Sequence, residues 1–337
     1  MILHSDDQRF WDAIRQLGSE QEWQSSLYTR GALNWYRQRP ADETKELSDQ
    51  SFALIWEDQP VFAFVGALVS DGSGRRLLAY EAPAVSLESE RLTRRAGKAA
   101  LDVLRGVLYK ADTVWYRDWL VHGAISSASE CMLSAGAVAA PVFSSVLDLS
   151  QDEVQLKNNL RKSYRSLINW GLRELQPQVF EGRSLTWEDM NEFRALHVRE
   201  AGRETRSEAS WRRQFEMVEA SEAFVVEGRL DGEMVSAGFF CASQTHCYYG
   251  SSASRRDLFE QPLFHSLMWS AILHAKERGC RWFEVGEQAY PNHPRDPRPS
   301  DKARSISEFK HGFGGGTRMF LDLGLDHPEA SIEVQPG

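Results

Sequence analysis

Glu284 and Glu287 close the run Arg281-Trp-Phe-Glu-Val-Gly-Glu, and Lys310 lies further on, beside Gly312 and the glycines at 314–316. Carboxylates at the carboxyl end of a strand can accept a proton or orient an amine. A lysine just inside a short helix, next to glycines that permit close approach, can hold a phosphate or a developing oxyanion. The same residue types also serve as solvated surface charges, and spacing alone does not choose. Upstream, Tyr248 and Tyr249 alternate across a strand, so one of them faces a site and the other the core. Arg255-Arg256-Asp257 then precedes a helix, a strand–loop–helix order that suits anion binding through backbone amides and the helix dipole. Arg161, Lys162 and Arg165 form one side of an earlier helix, where arginines one turn apart can fork onto phosphates or simply face water. His197 shares a helix with apolar neighbours, which fits a packed histidine as well as a base.

Several chemistries lose ground on motif grounds. The chain has no Gly-x-x-x-x-Gly-Lys-Ser/Thr loop, no Gly-x-Gly-x-x-Gly, no His-Glu-x-x-His and no Gly-x-Ser-x-Gly elbow. Its net charge of -9 argues against general nucleic-acid binding. The four cysteines, Cys131, Cys241, Cys247 and Cys280, lack metal-ligand spacing and read as buried free thiols of a reducing compartment. With no leader-like N-terminus and no long apolar window, the sequence reads as a soluble cytoplasmic protein. At 337 residues it is long enough for two domains.

The elements that must carry these residues appear as periodic runs. From Pro262, the residues Leu263, Phe264, Leu267, Met268, Ala271, Ile272 and Ala275 recur at helical spacing, with Gly279 suited to the position just past the end. Strands over 223–229, 234–241 and 247–250 precede this helix and one over 281–285 follows. The same order occurs earlier, with strands over 52–57, 61–69 and 75–80, a helix marked by Leu92, Ala96, Ala99, Val103, Leu104 and Val107, and a strand over 113–120. This reads as an internal duplication of pattern rather than of residues, an order that two α+β stretches can also share by chance. The fold class is α+β, cut into 1–149, 150–325 and a loose tail over 326–337.

Local signals mark further boundaries. Ser150 with Glu153 and Ser305 with Glu308 form Ser-x-x-Glu boxes that start helices, the first running to Gly171. Thr186 with Asp189 and Ser207 cap two more, and Asp231-Gly232 signals a hairpin. Residues 130–140 read as a helix closed by Pro141, 142–149 and 319–323 as strands, and the proline-rich stretch after Glu287 as a long loop.

Several local matches, in order, resemble the FemABX and FemAB-like acyltransferases, built of tandem GNAT-type domains. They are Asp148-Leu-Ser150 leading to Leu160-Arg-Lys-Ser-Tyr-Arg165; Phe193 and His197 with Gly202-Arg203 and Trp211; Tyr249-Gly-Ser-Ser-Ala253; Trp269 with Ala271 and Ala275; Phe283-Glu-Val-Gly286; and Phe309-Lys310 with Phe313-Gly314. The resemblance covers the chain from Asp148 onward by residues and the first half by pattern. It implies two GNAT-like domains, each a mixed sheet flanked by helices. It also implies transfer of an acetyl, acyl or aminoacyl group to an amine of a cell-envelope sugar or peptide precursor. The donor would be acyl-CoA or aminoacyl-tRNA, with no tightly bound cofactor. Lys310, Glu284, Tyr249, Glu287 and His197 would be catalytic; Arg161, Arg165, Arg203, Arg255, Arg256 and Ser251 would bind donor or phosphate; Tyr248, Trp211, Trp269, Phe309 and Phe313 would line the substrate. Two departures stand out: the Arg/Gln-x-x-Gly-x-Gly/Ala acyl-CoA loop is absent, since no glycine lies between Gly250 and Gly279, and so is the helical arm of some FemABX members. A degenerate, non-catalytic GNAT pair and an aminoacyl-tRNA-dependent peptidoglycan-type aminoacyltransferase are the rival readings.

Overall fold

A computed structural model describes residues 1–19, 22–42, 45–72, 74–79, 84–85, 90–120, 124–292 and 296–326. In chain order the elements are β1 (Ile2–His4), α1 (Gln8–Ser19), α2 (Arg30–Asp42), β2 (Glu46–Asp49), β3 (Phe52–Trp56), β4 (Gln59–Phe64), β5 (Gly66–Asp71), β6 (Gly74–Ala79), β7 (Ala84–Val85), α3 (Glu90–Leu108), β8 (Thr113–Trp119), α4 (Ser127–Ser134) and β9 (Val138–Asp148). The chain continues with α5 (Glu153–Asn159), α6 (Tyr164–Glu174), β10 (Gln178–Glu181), α7 (Trp187–Ala201), α8 (Glu208–Glu219), β11 (Ala223–Leu230), β12 (Glu233–Ala242), β13 (His246–Ser254), α9 (His265–Glu277), β14 (Trp282–Glu287), α10 (Asp301–His311) and β15 (Gly316–Asp326). Among the described residues, no helix is long and apolar enough to cross a membrane.

Two compact units emerge, and they interleave in sequence. The first takes residues 1–24, 40–142 and 319–337; the second takes 25–39 and 143–318. The sequence reading instead placed one cut near residue 149. The interleaving has a structural cause, because each unit is completed by a strand from outside its own repeat. β15, the last of the described strands, pairs with β8 of the first unit, and β9, which follows the first repeat, pairs with β14 of the second.

The repeated order is a repeated topology. In the second unit β11, β12 and β13 form an antiparallel run and β13 pairs parallel to β14 through the α9 crossover. In the first, β5 pairs antiparallel with β6, which pairs parallel to β8 through α3. The stretch expected as one strand over 61–69 is two, β4 and β5. They pair in different sheets, and at the join Gly66 N–H donates to Ser51 Oγ at 3.2 Å.

The second unit has a core on each face of its sheet. One face packs Phe240, Phe283 and Val285 against Tyr164 and Ile168 of α6 and Leu267, Met268 and Ile272 of α9. The other packs Val225, Phe239 and Ala253 against Phe193 of α7 and Trp211 of α8. Asp231 and Gly232 have φ of 50° and 82°, the left-handed pair that a tight hairpin turn requires. Caps at Thr186 and Ser207 form as read, each side chain accepting a backbone N–H of its helix.

Other boundaries moved, for local reasons. Ser150 Oγ donates to Asp148 Oδ1 at 2.7 Å, so Asp152 takes over as cap, with Gln155 closing the box. The single helix expected from Ser150 to Gly171 is two. At its break, Leu160 is extended and Arg161 N–H donates to Gly312 O at 2.9 Å instead of to its own helix. Ser300 caps α10, leaving Ser305 inside it. α9 starts at His265, after Phe264, rather than at Pro262. The helix expected over 130–140 is α4 at 127–134, and Pro141 lies within β9. The tail over 327–337 lies outside the described residues.

Candidate active site

β13 and β14 run parallel only through the pairs His246–Trp282, Cys247–Phe283 and Tyr248–Glu284. Beyond them β13 stays with β12 and β14 stays with β9, so the strands separate and leave a notch between their carboxyl ends. Irregular register at Phe239/Phe240 and at Glu284/Gly286 lets each strand turn away. A notch of this kind exposes backbone and side-chain groups that a continuous sheet would satisfy.

Glu284 sits at the bottom of the notch and is only 5% exposed. Its Oε1 accepts from Ser144 Oγ at 2.6 Å, and His246 Nε2 lies 3.3 Å from its Oε2. Ser26 N–H donates to His246 Nδ1 at 3.0 Å, so in the neutral ring the proton is on Nε2, facing the carboxylate. A buried carboxylate braced in this way has a fixed orientation.

Lys310 comes to the same place from α10. Its ammonium donates to Glu287 O at 3.5 Å and lies against Gly286, where a Cβ would come within 2.6 Å of Nζ. Gly286 has φ of 124°, a conformation that favours glycine, and its missing side chain leaves the lysine's end in place. Burial pushes the Lys310 pKa down, against the opposing pull of Glu284 and Glu287. The helix is clamped one turn earlier. Ser307 Oγ donates to Gln288 Oε1 at 2.8 Å, Gln288 Nε2 donates to Ser145 Oγ at 2.6 Å, and Ala289 N–H donates to Ser307 Oγ at 3.1 Å. Ser307 and Lys310 share a helix face, so this clamp sets where the ammonium stands. Neither Ser307 nor Gln288 stood out in the sequence, because the link depends on a loop return of unreadable length.

A second polar group lies on the α7–α8 side of β13. Arg206 Nη1 donates to Gln214 Oε1 at 3.2 Å and to Ser251 Oγ at 3.3 Å, with its guanidinium over the Trp211 ring at 5.0 Å. His197 Nδ1 lies 3.4 Å from Thr205 Oγ1, and burial, followed by the Arg206 charge, lowers its pKa. Tyr248 shares its register position with Glu284 and so faces that side of the sheet. Arg203, the arginine that the resemblance assigns to donor binding, is exposed on the same loop, and Arg206 is the one that reaches Ser251.

Several expected site residues are placed elsewhere. Tyr249 packs between Phe240 and Phe264, with its hydroxyl paired with Ser252 and its pKa pushed up to about 12 by burial. Trp211, Trp269 and Phe313 are 0%, 2% and 0% exposed and belong to the cores rather than to a substrate wall. Phe309 is half-buried and stacks edge-on to Phe313 and His265. Arg255 is committed to Glu233 and Asp257, and Arg256 N–H donates to Glu200 Oε2 at 3.0 Å. Carboxylates engage both residues of that loop. Ser251 is engaged by Arg206. Arg165 Nη2 donates to Asn158 O at 3.0 Å, whereas Arg161 lines a cleft behind α10.

The repeated mixed-sheet topology, with a parallel pair that splays, is that of the GNAT class of fold, used in tandem. Residues 157–293 match the family described as an acetyltransferase (GNAT) domain. No curated protein matches the sequence significantly. Among solved structures the chain is similar to FemX, at TM-score 0.70 and 12% identity over 96% of each chain. It is also similar to the C-terminal domain of a lysylphosphatidylglycerol synthetase from Agrobacterium fabrum, at TM-score 0.59 and 15% identity over 94% of this chain and 91% of that one. A tandem GNAT protein of the clavulanic acid pathway aligns at TM-score 0.51 and 16% identity over 98% of this chain and 99% of that one. The FemAB-like resemblance read from the residues therefore has its counterpart in the fold.

Proposed function

We propose that this chain is an N-acyltransferase that moves an acetyl, acyl or aminoacyl group onto an amine of a cell-envelope sugar or peptide precursor. The observation that carries the reading is the Lys310 ammonium set against Gly286 and Glu287 O, at the point where β13 and β14 part above the braced Glu284. In such a transfer the amine nitrogen forms a bond to the acyl carbon, the carbonyl oxygen gains charge, and the bond to the donor's sulfur or oxygen breaks. Lys310 is placed to stabilise that oxygen, and Glu284 or Glu287 to take the amine proton. The donor is a CoA thioester or an aminoacyl-tRNA ester, both of which present an activated carbonyl. The fold is shared by a lysylphosphatidylglycerol synthetase domain and a clavulanic acid pathway protein, so it leaves the acceptor open.

The test is intact mass spectrometry of reactions holding the purified protein, each donor class in turn and a pool of amine-bearing envelope precursors. An acceptor whose mass rises by the acyl group, with wild type and not with Lys310→Met, supports the proposal. Binding of donor or acceptor without transfer, by folded wild type and with both donor classes, would establish a non-catalytic GNAT pair instead. The missing glycine loop and the committed Arg255 favour that second reading.

A further inference from the structure

The second unit holds a cleft of about 540 Å³ whose lining includes Val146, Asp148, Arg161, His311 and Arg318, with the glycines that follow α10. We infer that this cleft binds a diphosphate group between Arg161 and Arg318. Lys310 does not line it, so its test needs no transfer chemistry, although Arg161 is among the residues that the resemblance assigns to donor or phosphate.

Its lining fixes the sign of the ligand. Asp148, the lining carboxylate, is engaged by Arg281 at 3.0 Å and by Ser150. Arg161 and Arg318 remain as the cationic pair, and His311 adds a ring nitrogen. Val146 is the lining aliphatic side chain, so an apolar ligand has little to bind. Carbonyls at the end of α10 that would repel an anion are already taken: Gly312 O by Arg161 N–H at 2.9 Å, and Glu308 O by Gly312 N–H at 3.2 Å.

Both guanidiniums are exposed and rest against an aromatic ring. Arg161 lies over the Tyr164 ring at 5.4 Å with Nη2 donating to Glu308 O at 3.4 Å, and Arg318 lies over the Trp282 ring at 5.3 Å. Ordering them in advance lowers the entropic cost of binding. Two guanidinium forks match the two phosphoryl groups of a diphosphate, since each fork can span two oxygens. The volume falls within the range of small-ligand sites, roughly 300–1,000 Å³, so part of an attached group fits as well. The wall opposite is backbone. At Gly314 a Cβ would meet Asn159 O at 2.8 Å, and at Gly315 one would meet Val146 O at 2.6 Å. At Gly316 a Cβ would meet only Arg318 Nε, at 3.7 Å.

Titration calorimetry at low salt tests the cleft with sodium pyrophosphate, ADP and inorganic phosphate as probes. Wild type is expected to bind pyrophosphate and ADP at one saturable site, more tightly than inorganic phosphate and less tightly as salt is added. Arg161→Ala/Arg318→Ala is expected to weaken binding by about tenfold or more, the scale of losing charge-assisted hydrogen bonds. Gly316→Asp leaves both arginines and the packing in place while adding a negative charge beside Arg318, and is expected to weaken binding similarly. Arg173→Ala, on the exposed side of α6 and outside the cleft, is expected to change nothing. Absence of saturable pyrophosphate and ADP binding to wild type overturns the inference, as does equal affinity across folded variants. Binding of a short single-stranded RNA without binding of pyrophosphate or ADP also overturns it, by assigning the cleft to a polynucleotide backbone.

Discussion

Lys310 combines two features that a merely solvated lysine lacks: loss of water and a fixed post. Its neighbours are a glycine that leaves room for Nζ and a main-chain carbonyl that accepts from it. Lys310→Met is expected to lower turnover by about 100-fold or more, the scale of losing one preorganised oxyanion donor. Lys310→Arg should recover only part of it, because a planar fork does not reproduce a compact ammonium. Steady-state rates, with circular dichroism as a folding control, give the answer; a folded Lys310→Met enzyme within a few-fold of wild type would put the chemistry elsewhere. The pH dependence carries a sign. Burial holds the Lys310 pKa below the 10.5 of a solvated lysine, so an ammonium needed for turnover is lost as pH rises through that lowered value. Turnover should therefore show an alkaline limb below 10.5 in wild type, and Lys310→Arg should lack it. Stability runs the other way. The native state binds this proton less readily than the unfolded chain, so the charged lysine costs stability at neutral pH and the cost fades as pH rises toward 10.5. Lys310→Met should then unfold in urea at neutral pH no earlier than wild type, and an earlier midpoint would show that the ammonium was structural.

At the scale of elements, the glycines after α10 explain both a packing contact and a helix break. Gly314 and Gly315 have φ of 84° and 85°, and their backbones pass within Cβ reach of Asn159 O and Val146 O. That close passage lets Gly312 O capture Arg161 N–H, which splits α5 from α6. Gly315→Ala is therefore expected to destabilise the second unit by about 1–3 kcal/mol through a disfavoured conformation and a backbone clash. A chemical-denaturation midpoint equal to wild type would show that the loop relaxes freely. The same stretch shows what a sequence can and cannot reveal. Gly312 and its neighbours marked the loop, and Thr186, Ser207 and Asp231-Gly232 marked two helices and a hairpin, because caps and tight turns are set by residues close in sequence. The break at Leu160 was hidden, since its cause lies at Gly312. Glu284 and Lys310 were legible as strand-end and helix-borne charges beside glycines. Their braces, Ser144, His246, Ser26, Gln288 and Ser307, were not, because each comes from a distant part of the chain. Tyr249 packs against one core and Trp211 lies in the other, and an aromatic in an apolar strand or helix has the same pattern whether it lines a site or fills a core.

Across the whole molecule, the strands that complete the two units are the ones a duplication would not assign to them. β15 pairs with β8 from Phe320–Trp119 to Asp326–Thr113, and it puts Phe320, Leu323 and Leu325 into the first unit at 0%, 0% and 3% exposure. Asp322, 1% exposed, pairs with Arg117 at 2.8 Å, so β15 also neutralises a charge on β8. A fragment of residues 1–149 keeps the whole first repeat yet loses this strand. It then exposes the edge of β8, gives up burial of about 1.5–3 kcal/mol for each large apolar side chain, and leaves the Arg117 charge without its carboxylate. Against the marginal stability of a small domain, roughly 5–15 kcal/mol, these losses are decisive. The fragment is expected to aggregate or to unfold without a cooperative transition. Fusing residues 316–326 back onto it through a flexible linker should restore a sigmoidal urea curve, because the strand carries its own partners with it. The measurement is circular dichroism against urea for both forms. A fragment of 1–149 that unfolds cooperatively on its own would show that β15 is dispensable to the first unit.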